Sequence, residues 1–125
     1  MKKNPFPEIF SIFGLLSVAL GAFAAHGLRQ ILRPEEITVF ETGVRYMFFH
    51  SVAGLSVSVH SSESGLKKYS QILFTAGIII FSGSLFILSL SGIRMFGAVT
   101  PVGGVSFLAG WVCLFLHFRK MRKEV

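Results

Sequence analysis

GAFAAHGLRQILRPEEITVFETGVRYMFFH, residues Gly21–His50, sets two histidines (His26, His50), three arginines (Arg29, Arg33, Arg45) and three glutamates (Glu35, Glu36, Glu41) between runs that read as membrane helix. Outside this stretch, charge is nearly confined to the two ends of the chain and the short loop Ser61–Ser70. Of the 125 residues, 52% are hydrophobic and 14% charged, and the mean hydropathy is +0.67. Soluble domains carry about 25% charged residues. A chain this apolar cannot fold its greasy surface around one small core, so lipid must solvate much of it. The composition therefore points to one polytopic membrane domain, residues 1–125, with one polar region to explain.

Working outward from that region, four apolar segments stand out, at about residues 9–28, 44–60, 72–93 and 96–118. Crossing a hydrocarbon core of ~30 Å takes about 20 helical residues. The second segment is the weakest, because Arg45 and His50 lie inside it. Charge placement decides in its favour. Four spans put Lys2, Lys3, Lys67, Lys68, Arg119, Lys120, Arg122 and Lys123 on one side, against Arg29, Arg33 and Arg94 on the other, with Arg45 at the membrane edge. That asymmetry predicts a protein of the cytoplasmic (inner) membrane with both termini cytoplasmic. The net charge of +6 is then a topology signal, and no basic face suited to nucleic acid is implied. Lys2, Lys3, the apolar run and Ala22-Phe23-Ala24 also fit a cleavable leader, which would leave three spans. Pro5, Pro7 and Glu8 make an odd leader, and an uncleaved first span is expected.

Arg33-Pro34-Glu35-Glu36 reads as a helix start: proline suits the first helical position, and the glutamates complement the positive end of the helix dipole. Ile37, Phe40 and Val44 then form an apolar stripe. The expectation is a short outer amphipathic helix between helices 1 and 2, with Gly43 as a bend. The fold class follows as all-α, a four-transmembrane-helix up-down bundle. Lipid gives no hydrophobic drive between helices, so small residues must let backbones approach. Gly21, Gly54, Ser84, Gly103 and Gly110 are the expected packing positions, in stripes such as Gly14, Ser17, Gly21, Ala25. Such stripes serve packing within the chain or against a second copy or a partner membrane protein alike.

The spans bring His26, Glu41, Arg45, Arg94 and Thr100 to the outer leaflet, with His50 deeper. Glu41 and Arg45 are spaced i, i+4 with the acid first, the favourable order for a pair. Either they neutralise each other at the headgroups, or with His26 and Arg94 they form a polar cluster that binds or gates something. His50 lies on the stripe Gly43, His50, Gly54, Ser58. There it is either a buried imidazole bonded to a carbonyl or serine, or a ligand-binding or proton-handling group. A bis-histidine haem site needs two imidazoles at one depth on facing helices; His60 and His117 share the cytoplasmic edge, whereas His26 and His50 share the outer half at different depths, and haem is not expected. Cys113 and His117 read as a buried thiol and an interfacial imidazole. No nucleophile–base–orienter set, phosphate loop or metal-ligand spacing is present, so neither a catalytic site, a metal nor a cofactor is expected.

The run GAFAAHGL, then FETGVRYMFFH, FSGSLFILSLSG, TPVGG and GW resembles the domain-of-unknown-function 423 family, small bacterial membrane proteins similar to the vertebrate transmembrane protein 256. The resemblance extends from about Gly14 to Trp111. It implies four helices, an uncleaved first span and characteristic positions at Gly21, Ala22, His26, Gly27, Leu28, Thr42, Gly43, Tyr46, His50, Ser82, Gly83, Ser84, Thr100, Pro101, Gly103 and Gly104. Ala24 stands where members commonly have Gly, and Met47 where they commonly have Gln. The resemblance supplies location and architecture but no mechanism. The expected function is non-enzymatic: a structural, interaction or lipid-binding protein, with a small oligomeric transporter or channel as the alternative.

Overall fold

The computed structural model describes residues 3–124, so Lys2, one of the basic residues weighed above, lies outside the described residues. All regular structure among them is helical: α1 (Phe6–Ala25), α2 (Pro34–Val59), α3 (Gly65–Gly77), α4 (Gly83–Ser91) and α5 (Met95–Glu124). A single 3-10 turn, Leu28–Gln30, follows α1, and a π-helical stretch, Ile78–Ser82, joins α3 to α4 in one rod. The described residues therefore make four rods. Three of them, Phe6–Gln30, Gly65–Ser91 and Met95–Glu124, are long and apolar enough to cross a membrane. α2 is long enough, at 26 residues or about 39 Å, but its first half carries Glu35, Glu36, Glu41 and Arg45.

Local chemistry accounts for the helix ends. α1 starts under Asn4, whose Oδ1 accepts the Phe6 N–H at 3.1 Å. α2 has Pro34 at its first position, and Glu36 reaches back to accept the Arg33 N–H at 2.9 Å. This capping box satisfies donors that a helix otherwise leaves open. Ser64 caps α3 by accepting the Lys67 N–H at 3.1 Å. α4 ends at Gly92, whose φ of 73° is the left-handed conformation glycine adopts without penalty.

A separate amphipathic helix before α2 does not form. Pro34–Val59 is continuous, and Gly43 is buried within it. The physical reason lies in what Gly43 faces: a Cβ there would stand 2.7 Å from the Phe86 ring, and Ser82 Oγ donates to the Gly43 carbonyl at 2.7 Å. Phe40, one residue of the predicted stripe, is 1% exposed and packs with Ala24 and Leu28, so the stripe serves the core.

Cross-helix contacts pair successive rods in reversed order. Phe10 meets Gly54 while Gly21 meets Val44. Gln71 Nε2 donates to Ser58 Oγ at 2.9 Å while Ser82 bonds Gly43. Ser64 reaches His117, Ser106 Oγ donates to the Leu73 carbonyl at 2.7 Å, and Ser84 meets Thr100 at 2.6 Å. Neighbours are thus antiparallel, with α2 and the α3–α4 rod in the middle, α1 against α2, and α5 against α3–α4. The core is Phe10, Met47, Val57, Phe74, Ile78, Phe107 and Leu114. Leu15, Ile79, Leu108 and Phe115 are each more than half exposed on the outside.

The expected packing positions divide. A Cβ on Gly54 would clash with the Phe10 ring, and one on Gly103 would stand 2.7 Å from Phe81 Cα, backbone that cannot step aside. Gly110 receives the Phe74 ring in the same way, and Ser84 packs through its hydrogen bond to Thr100. Gly103 stands opposite the π-helical stretch, where α5 approaches the rod closely at Phe81. Gly21 is different. Its nearest neighbour would be Val44 Cγ1 at 3.4 Å, an ordinary contact that does not demand glycine. Of the stripe in α1, Ser17 is buried but Ala25 is exposed; Ala24 is the residue that packs.

Candidate functional site

His50 is placed by α2, one turn after Tyr46, and is 4% exposed. Its Nδ1 lies 2.7 Å from the Tyr46 carbonyl, and Trp111 Nε1 lies 2.9 Å from its Nε2. An indole N–H can only donate. Nε2 is therefore the acceptor, and Nδ1 carries the hydrogen and donates to Tyr46. The ring is neutral, in one tautomer, with both nitrogens used. It stacks on Phe107 with centroids 3.6 Å apart and meets Phe74 and Trp111 edge-on at 5.3 and 5.8 Å. No lone pair remains for iron or another metal unless Trp111 lets go.

A cavity of about 420 Å³, open on one side, lies over this cradle. Its walls are mostly apolar: Phe81, Pro101, Val105, Phe107, Leu108 and Trp111, with Gly104 leaving the space clear. Pro101 sits inside α5 and cannot donate to the turn before it. Thr100 supports that turn by donating to the Phe96 carbonyl at 3.0 Å.

The other expected site residues do not gather around His50. His26 is exposed just past α1, and Arg94 is exposed in the turn before α5. Thr100 is half-buried and bonded to Ser84. Glu41 and Arg45 are both exposed, and the ion pairs among the described residues are Arg33–Glu36 at 3.2 Å and Lys67–Glu63 at 2.9 Å. The expected Glu41–Arg45 pair is absent from that set. Exposed on a helix, such a pair stabilises by only about 0.3–0.5 kcal/mol, too little to hold two long side chains together. The ion pair that does form has a cause: Glu36 accepts both the Arg33 N–H and its guanidinium, and this holds the carboxyl below the usual carboxylate range.

At the other end of the rods lies a polar group that sequence reasoning missed. The Lys67 side chain is 1% exposed and its Nζ donates to the His60 carbonyl at 2.7 Å and to Glu63 Oε1 at 2.9 Å. Ser64 Oγ, while capping α3, shares a 2.6 Å hydrogen bond with Nδ1 of the buried His117. Deeper in, Gln71 joins Ser58. Ser64 was the available signal, since a serine immediately before a helical segment marks an N-cap. Nothing local marks Lys67 as the buried member of the Lys67-Lys68 pair.

Comparison with known proteins follows the same outline. The family model described as "Protein of unknown function (DUF423)" matches residues 20–104. The UPF0382 inner membrane protein YgdD of Escherichia coli strain K12 is 40% identical over 116 residues, covering 91% of this chain and 88% of the relative. A UPF0382 membrane protein of Haemophilus influenzae is 37% identical over 113 residues, 90% and 91% of the two chains. One from Staphylococcus haemolyticus is 38% identical over 114 residues, 87% and 93%. No solved structure matches.

Proposed function

The chain belongs to the DUF423 family of membrane proteins, and from that premise we propose that it is a non-enzymatic, lipid-bound structural protein of the inner membrane rather than a conduit through it. On this reading α2 crosses with the three apolar rods, the basic ends face the cytoplasm, and the relatives named as inner membrane proteins share that location. The observation that carries the reading is the state of His50. A proton or solute path needs polar groups free to exchange partners. The imidazole here has both nitrogens engaged and an aromatic ring on its face, and the cavity beside it is walled by apolar side chains. Acyl chains suit that wall; a hydrated ion does not.

The test is flux through purified protein in liposomes, with a pH-sensitive dye and an ion-sensitive dye inside. The expected result is leakage equal to that of protein-free vesicles for the natural chain and for Trp111→Phe. A flux above that background that disappears in His50→Ala would overturn the scaffold reading in favour of a channel.

A further inference from the structure

The corner where α1 turns into α2 holds a second cavity of about 420 Å³, lined by Arg29, Leu32, Pro34, Ile37, Thr38 and Glu41. Its composition is specific: one cation, one anion and an apolar floor. Arg29 and Glu41 are exposed, and among the described residues neither side chain forms an ion pair or a hydrogen bond. Thr38 is already spent, its hydroxyl donating to the Pro34 carbonyl at 3.0 Å. Leu32 and Ile37 pack on the Ala24, Leu28 and Phe40 cluster and so present a fixed floor. Leu28, 0% exposed, pins the 3-10 turn that carries Arg29, and the Arg33–Glu36 cap fixes the start of α2. The two free charges are thus held on well-anchored backbone on either side of apolar ground.

We propose that this corner binds the headgroup of a zwitterionic aminophospholipid, with the phosphate at Arg29, the primary ammonium at Glu41 and the glycerol and upper chains over Leu32 and Ile37. The assignment follows from charge complementarity, and it rests on the lipid-bound reading above. A purely anionic headgroup satisfies Arg29 but sets negative charge against Glu41. A choline headgroup has the right charges, but its quaternary nitrogen has no hydrogen to donate to the carboxylate. An ethanolamine headgroup meets both groups with charge-assisted hydrogen bonds. The groove at the far end of α5, lined by Phe115, Phe118, Arg119 and Arg122, holds cations alone and lacks this discrimination.

The full-length protein would be released from nanodiscs containing equal parts phosphatidylethanolamine, phosphatidylcholine and phosphatidylglycerol, and its retained lipids counted by native mass spectrometry. Phosphatidylethanolamine is expected to be retained over phosphatidylcholine by about fivefold, the scale of one partly exposed charged hydrogen bond. Glu41→Gln should bring that ratio to about one, while Arg29→Gln lowers retention of both. Arg119→Gln, in the distant groove, should leave the ratio unchanged. Equal retention of the two lipids by the natural chain, a dominant preference for phosphatidylglycerol, or an undiminished ratio in Glu41→Gln would each overturn the site. The outcome is separable from the flux test. Leaky vesicles with the ethanolamine preference intact would sink the scaffold and keep the site, and tight vesicles without the preference would do the reverse.

Discussion

The α1–α2 corner and the α2–α3 end of the molecule carry similar side chains and treat them in opposite ways. At the corner, Arg29, Glu41 and Arg45 stand exposed and make no ion pair with one another. At the other end Lys67 is enclosed, with its ammonium tied to a backbone carbonyl and a carboxylate. The difference teaches that density of charge in the sequence does not locate the structural use of charge. A buried ammonium must be paired, because desolvation costs several kcal/mol, whereas a charge at the interface keeps its water. In the crowded stretch Arg29, Glu41 and Arg45 make no ion pair, whereas Lys67, the one buried lysine among the described residues, is consumed by the fold.

The comparison would break most visibly at Lys67. Lys67→Ala leaves the His60 carbonyl without its donor and empties the enclosed volume of a long side chain, and should destabilise by roughly 2–3 kcal/mol. Lys68→Ala next door, on an exposed position, should stay within about 0.5 kcal/mol. Unfolding in mixed detergent micelles reads both, and equal losses would show that the end is no more consolidated than the corner. A smaller effect is expected between these regions, at the cradle. Trp111→Phe keeps an aromatic ring but removes the N–H that holds His50, for a loss of about 0.6–1.7 kcal/mol. If that variant unfolds with the natural chain, the indole–imidazole bond contributes nothing.

The smallest effect lies at the corner and sharpens its one paired group. The Glu36 carboxyl is held below its ordinary value by the Arg33 N–H and guanidinium. A carboxyl lowered in the folded state adds stability above its unfolded value, and loses it as pH falls through the lowered folded value. Melting temperatures between about pH 5 and pH 2.5 should therefore drop less in Glu36→Gln than in the natural chain. A parallel drop in both would mean that the cap does not titrate with folding.

Much of the fold was legible because period and composition carry it. The apolar runs at 9–28 and 96–118 fall within rods of the structure, that at 72–93 runs two residues past the end of one, and Pro34 with Glu36 marks the start of α2 as predicted. The small residues Gly54, Gly103 and Gly110 were recognisable because close helix approach leaves few other choices. The continuity of α2 through Gly43 was not legible. A glycine in a sequence looks like a bend until the Phe86 ring and the Ser82 hydroxyl that occupy it are known. For His50 the sequence offered a carbonyl or a serine as partner; the Tyr46 carbonyl is one, but the second partner, Trp111, lies 61 positions away and nothing local points to it.

Sequence by itself determined that this is a helical membrane protein of a recognisable family, because hydropathy, charge asymmetry and motif are written along the chain. Tertiary structure alone decided which polar groups are spent and which are free. It joined Trp111 to His50 and Ser64 to His117, buried Lys67, and left Arg29 and Glu41 facing one cavity. The reason is physical: burial and pairing belong to the space between helices, and residues far apart in the chain become neighbours only when the rods pack.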